Sequence, residues 1–206
     1  MKLLVLHTPK GGSGKSTVAR EIAVAASLAG RNVAMADLDP QGTTAGWYRR
    51  RQAEAPALVR WSPGAPLEAL EGAGLDWLVV DTPPATPPFL PALLAQADAV
   101  LVPVRPTPDD LLAAAPIARS LARCPSWAFV LSQVPPRSRL TDGAARQLAS
   151  LGRVAPAQLT FRADFPAAAI TGQAAVEFTG KAAEEARALA AYAATLLGED
   201  LNGSAS

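Results

Sequence analysis

Short, continuously apolar runs alternate along this chain with longer stretches of helical composition. That is the pattern of a mostly parallel sheet covered by helices on both faces, because strands buried on two sides have no polar face to show. It predicts strands near 2–7, 32–37, 57–61, 76–81, 98–104, 127–132 and 157–161. Helices are predicted near 15–29, 43–53, 66–72, 88–96, 109–122, 140–151, 166–171 and 181–197. Most of the nineteen prolines fall between these elements, as at Pro40, Pro83-Pro84, Pro106 and Pro135-Pro136. Pro116 lies inside a predicted helix and should kink or restart it. The expected fold is a single α/β domain over 1–197, a mostly parallel twisted sheet with helices on both faces. The small polar residues 198–206 read as a frayed tail.

The first break between strand and helix carries the chemistry. Lys10-Gly11-Gly12-Ser13-Gly14-Lys15-Ser16-Thr17 follows the run Leu3-Leu4-Val5-Leu6 and precedes a helical stretch from Val18. It fits the phosphate-loop pattern G-x-x-x-x-G-K-[ST] with Pro9 in place of the first glycine. Strand, glycine-rich turn and helix start in that order aim backbone N–H groups and the positive helix end at an anion. Gly11, Gly12 and Gly14 let the backbone approach phosphate oxygens closely. Lys15 is placed to reach the β- and γ-phosphates, and Ser16 to ligate Mg²⁺. Asp81 ends an apolar strand, where a bare buried carboxylate is costly without a counter-charge, so it is a second magnesium candidate. Asp37 and Asp39 also follow a strand. In an open parallel sheet these strand ends converge on one ligand-binding edge. N-capping of the helix from Thr43 is the competing role for the Asp37/Asp39 pair.

The extra lysine narrows the resemblance. The pattern K-G-G-x-G-K-[ST]-T resembles the deviant Walker A signature of the ParA/MinD ATPases, with Lys10 on its first position. Asp37-Leu38-Asp39-Pro40-Gln41 resembles that family's D-x-D-P-Q segment, and Trp77-Leu78-Val79-Val80-Asp81-Thr82-Pro83 its Walker B strand. The three motifs cover roughly the first half of the chain, and its size is similar to the short plasmid-type ParA proteins. The resemblance implies ATP and Mg²⁺ as ligands and a P-loop NTPase fold of the deviant Walker type. It implies that Lys10 reaches across a two-fold interface to the partner's nucleotide, so that ATP drives homodimer formation. It implies Asp39 as the group positioning the attacking water, and Asp37 beside the metal-bound water or the loop lysine. Gln133 follows a strand where relatives place a polar residue near adenine, and Pro166 with Phe165 and Ala167 would line the other side.

Composition adds exclusions. Half the residues are hydrophobic, which excludes a disordered chain, and the net charge of +1 points to no partner. One cysteine, Cys124, excludes an internal disulfide and a paired-cysteine metal site. No apolar run approaches the ~20 residues of a bilayer span, and Met1-Lys2-Leu3 runs directly into the first strand, so a cytoplasmic location is expected. Between Arg105 and Arg162 stand eight arginines against three aspartates. ParA relatives bind DNA without sequence preference through basic residues in this part of the fold, which makes Arg137, Arg139, Arg146 and Arg162 candidates. The run Arg49-Arg50-Arg51 is another. The leading expectation is a nucleoid-associated ATPase that positions a plasmid, chromosome origin or protein assembly, with hydrolysis stimulated by a ParB-like or cargo-adaptor protein. A MinD-like membrane switch would need a basic, bulky amphipathic C-terminus. The end here, Leu197-Gly198-Glu199-Asp200, is acidic and broken by glycine. A small-molecule ligase or kinase of the dethiobiotin synthetase type is the remaining alternative.

Overall fold

The computed structural model describes residues 1–138 and 140–201. Its strands are β1 (Lys2–Leu6), β2 (Val33–Asp37), β3 (Ala57–Leu58), β4 (Trp77–Asp81), β5 (Ala99–Val104) and β6 (Trp127–Leu131). They form one sheet in the order β3-β2-β4-β1-β5-β6, and every pairing is parallel. The helices are α1 (Lys15–Leu28), α2 (Thr43–Tyr48), α3 (Leu90–Gln96), α4 (Pro108–Ser120), α5 (Leu140–Ala149), α6 (Asp164–Ile170) and α7 (Lys181–Leu196).

Continuous apolar strands acquire two faces here. Leu4, Leu6, Met35, Val79 and Leu101 turn to one side and pack with α1 and α7. Leu3, Val5, Ala34, Ala36, Val80 and Val100 turn to the other and pack with α3, α4 and α5. Alternation of side chains along each strand thus supplies both cores from one run. α1 and α7 are so alanine-rich that they lie closely against each other and the sheet.

Four expectations change. The strand expected at 157–161 is not formed. The edge of β6 is covered instead by two isolated bridges, Phe129 with Val154 and Val134 with Thr160. Pro156 between them has no N–H to extend a ladder. The helix expected at 43–53 stops at Tyr48, where Arg50 and Arg51 N–H groups bond to Trp47 and Tyr48 carbonyls in a tight last turn. Pro116 does not divide α4. It is exposed, as is Leu112, so the bond it cannot make faces water. The segment expected to fray from Gly198 starts out tethered: Trp77 Nε1 donates to Glu199 Oε2 at 2.9 Å, and Arg31 Nη2 to the Asp200 carbonyl at 2.9 Å.

Candidate functional site

The loop between β1 and α1 sits at the carboxyl edge of the sheet, flanked by the ends of β4 and β5. Gly12 and Gly14 hold positive φ angles of 72° and 89°, a conformation that L side chains adopt only with strain. Gly14 is also the N-cap of α1, so the loop ends directly on the helix N-terminus. Lys15 is buried, and its Nζ donates to the Lys10 carbonyl at 3.3 Å. Burial lowers its pKa, while Asp81 and Asp39 work against that shift. The Lys10 side chain has no hydrogen bond or ion pair among the described residues and is only partly buried.

Asp81 is fully buried at the end of β4, and Thr44 Oγ1 donates to its Oδ2 at 2.7 Å. Its Oδ1 is buried with no partner. Burial pushes the carboxyl up to about 6, opposed by the Ser16 and Thr44 hydroxyls and reinforced by Asp37. A buried carboxylate oxygen without a partner is costly. It is the atom that a hydrated cation beside Ser16 would satisfy. Mg²⁺ is commonly held by one or two protein oxygens together with substrate phosphates. The pair Ser16 and Asp81 therefore fits this ion, although no cluster of three metal-ligating side chains occurs among the described residues.

The two remaining carboxylates differ. Asp37 spends both oxygens on the backbone, accepting from Asp39 N at 3.1 Å and from Ala45 N in the first turn of α2 at 2.8 Å. It anchors the turn that carries Thr44, the capping role that competed with metal binding in the sequence. Asp39 accepts from Gln41 N through Oδ1 at 2.9 Å, and its Oδ2 has no hydrogen bond among the described residues.

On the other flank, a cavity of about 220 Å³ is lined by Gly14, Thr17, Gln133, Thr160, Phe165 and Pro166, among others. Gln133 and Pro166 are thus brought together beside the loop. Gln133, at φ 50°, turns its amide to the loop and donates from Nε2 to the Gly12 carbonyl at 2.6 Å. The adjacent Ser132 hydroxyl donates to the Ser13 carbonyl. A side chain at Gly14 would meet both residues, with Gln133 Nε2 at 3.5 Å and Ser132 Oγ at 3.6 Å.

The candidate DNA-binding arginines separate. Arg137 and Arg146 are exposed, while Arg162 lines the cavity and donates twice to Glu185 Oε1, at 3.1 and 2.8 Å. Arg139 lies outside the described residues. Of the run at 49–51, Arg51 is fixed to Glu177 by two 3.0 Å bonds and stacks over Trp47, whereas Arg49 is exposed.

Thr44, Ser132 and Glu21 escaped the reading of the sequence. Glu21 is buried in α1 and accepts from Ala175 N and Val176 N at 2.9 and 3.0 Å. Thr44 and Ser132 each follow a recognisable strand end, but a lone hydroxyl there carries no signal without its acceptor.

A family model described as the CobQ/CobB/MinD/ParA nucleotide binding domain matches residues 4–174. The chain belongs to this family. A maintenance of carboxysome distribution protein A from Gloeobacter kilaueensis is 35% identical over 198 residues, covering 91% of this chain and 89% of the relative. Two solved structures share the fold. A Cyanothece McdA variant in complex with ATP has a TM-score of 0.71 at 16% identity, with 97% of each chain covered. The Pyrococcus horikoshii septum site-determining protein MinD with Mg-ADP has a TM-score of 0.74 at 16% identity, covering 96% of this chain and 97% of that one. All three motifs at 10–17, 37–42 and 77–84 lie inside the matched stretch. ParA/MinD members of the family are P-loop ATPases.

Proposed function

We propose that this protein is an Mg²⁺-dependent ATPase that dimerises around ATP, binds DNA without sequence preference and positions a cargo. The observation carrying this reading is the pair of lysines in one loop. Lys15 is buried and bonded to the loop backbone, while the Lys10 ammonium has no partner among the described residues. One cation is placed for the chain's own nucleotide and the other for a neighbour's. A cation supplied across an interface stabilises charge on the transferring phosphoryl group and makes dimerisation favour the ATP state.

Within one subunit, Gly11 to Thr17 wrap the phosphates, and Phe165 and Pro166 wall the base end, bordered by Gln133. Ser16 and Asp81 would hold Mg²⁺, which supplies charge neutralisation at the phosphates when bound. Asp39, through its Oδ2, orients the attacking water and accepts its proton. Asp37 contributes by fixing the turn into α2. The slow intrinsic turnover of such a switch gives an adaptor on the cargo something to stimulate.

The curated relative is named for carboxysome distribution. Among the plasmid, chromosome origin and protein assembly that the sequence left open, a protein assembly is therefore the better-supported cargo. Exposed Arg137 and Arg146 on the β6–α5 side are the DNA contacts of this reading, and Arg162, already paired, is a lesser one. No helix among the described residues is long and apolar enough to cross a membrane.

The test is binding to non-specific duplex DNA with ATP, ADP or no nucleotide at two salt concentrations. Binding that requires ATP and falls steeply with salt is expected. Equal binding in all three states would contradict the switch.

A further inference from the structure

A third cation stands at the phosphate loop. Arg105 follows β5, in the short link Arg105-Pro106-Thr107 that leads into α4. Its Nε and Nη2 donate to Asp110 Oδ2 and Oδ1 at 2.8 and 2.9 Å, a bidentate pair. Asp110 is 3% exposed and also accepts from Arg105 N at 3.3 Å. Burial opposes the charge on Asp110, yet the bonds from Arg105 hold its carboxyl below the ordinary value. Two prolines, Pro106 and Pro108, stiffen the link, and Thr107 caps the helix by accepting from Asp110 N. The guanidinium is therefore fixed in advance. Its remaining nitrogen, Nη1, has no partner among the described residues and lies 3.7 Å from where a Cβ on Gly12 would stand.

The position of Gly12 in the loop decides which phosphate is near. Gly14 and Thr17 border the base-end cavity, so the loop runs from the base end at Thr17 back toward the reacting end at Gly11 and Gly12. The other neighbour of that stretch is Pro84, just after Asp81: a Cβ on Gly11 would stand 3.8 Å from Pro84 Cβ. We propose that Arg105 is a specificity-determining residue whose Nη1 donates to the terminal phosphate of ATP and favours ATP over ADP. A preorganised arginine loses less entropy per bond than a free lysine, and its fork suits phosphate. The inference rests on the ATP-switch reading above. It adds a cation from the chain's own β5–α4 corner, independent of dimerisation.

The test compares affinities for ADP and for a non-hydrolysable ATP analogue, both with Mg²⁺, by calorimetry on wild type, Arg105→Gln, Arg105→Lys and Asp110→Asn. Melting curves of the nucleotide-free proteins accompany them. Arg105→Gln should weaken the ATP analogue about tenfold and ADP less than about twofold, a roughly five- to tenfold change in ratio worth about 1.0–1.4 kcal/mol. Arg105→Lys keeps a charge but not the two-point hold and should recover part of the ratio. Asp110→Asn frees the guanidinium and should lose part of it. A corner that is only structural predicts lowered melting in both Arg105→Gln and Asp110→Asn with the ATP-to-ADP ratio unchanged. That result overturns the assignment, as does a parallel loss of both nucleotides. Wild type that binds neither nucleotide would remove the ATP-switch reading and this inference together. Wild type that binds both, with an unchanged ratio in Arg105→Gln, removes this inference alone.

Discussion

At the phosphate end of the cleft, one β4 carboxylate is fully buried, lacks a partner on one oxygen and is pushed up to about 6. At the base end, the polar side chains are already satisfied by the protein: Gln133 by Gly12, Thr160 and Arg162 by Glu185. The first region stores unfavourable electrostatics that a cation bound together with the phosphates would relieve. The second is a settled frame that offers surface. Binding energy should therefore concentrate at the phosphates, while the base end holds the loop in shape. α1 joins the two, carrying Lys15 and Ser16 at its start and Thr17 in the wall of the base-end cavity, and Glu21 further along holds the helix against Ala175 and Val176.

The largest break in this contrast is Lys15→Ala. It removes the buried cation and should weaken ATP by about 100-fold in calorimetry, the scale of a charge-assisted phosphate contact with its desolvated surroundings. Retained affinity would refute the loop's role. Asp39→Ala should slow single-turnover hydrolysis by roughly 100-fold while sparing ATP binding, as removal of a general base does. An unchanged rate would remove Asp39 from the chemistry.

Glu21 sharpens the link between the regions. Burial raises its pKa from about 4.5 to about 7, against hydrogen bonds from Ala175 and Val176 and the charge of Arg20. The folded state thus holds a proton that the unfolded state gives up. Its contribution is fully present below the ordinary value and is lost as pH rises through about 7. The loss is roughly 3 kcal/mol in total. His7, lowered to about 4 by burial and by Lys15, has the opposite slope, so the comparison is made against Glu21→Gln. Wild-type melting temperature should fall relative to the variant between pH 5 and 8. Parallel curves would contradict the buried proton.

The smallest effect is expected at the base end. Gln133→Ala loses one loop-bracing hydrogen bond and should weaken ATP and GTP alike by about threefold. A loss confined to ATP would make Gln133 a reader of adenine instead.

This contrast also explains what the sequence disclosed. Each element of the phosphate end is a short contiguous segment: glycines and lysines at 10–15, aspartates at the ends of β2 and β4. Their chemistry is fixed by backbone geometry close by in the chain, so type and spacing suffice. The parallel sheet was equally legible, since buried strands must be continuously apolar. The base end is assembled from 132–133 and 159–166, segments joined only by packing, and no spacing rule reports which way an amide turns. Gln133 and Pro166 line one cavity beside the loop, but the sequence carried no sign of the bond from Gln133 to Gly12. The Arg162–Glu185 pair escaped for the same reason, and so did the two backbone bonds that occupy Asp37. Residues 157–161 read as a strand because Ala157, Leu159 and Phe161 alternate with polar residues at the right distance. Only the proline at 156 and the two separate bridges show why the ladder does not form.

The central claim is that ATP assembles two copies of this chain through Lys10. It is tested most directly by measuring mass in solution, by light scattering, with ATP and with ADP, for wild type and Lys10→Ala. Calorimetry confirms that each protein binds nucleotide. Wild type should be a dimer with ATP and a monomer with ADP, and Lys10→Ala should bind ATP yet stay monomeric. An ATP-dependent Lys10→Ala dimer as stable as wild type would contradict the claim.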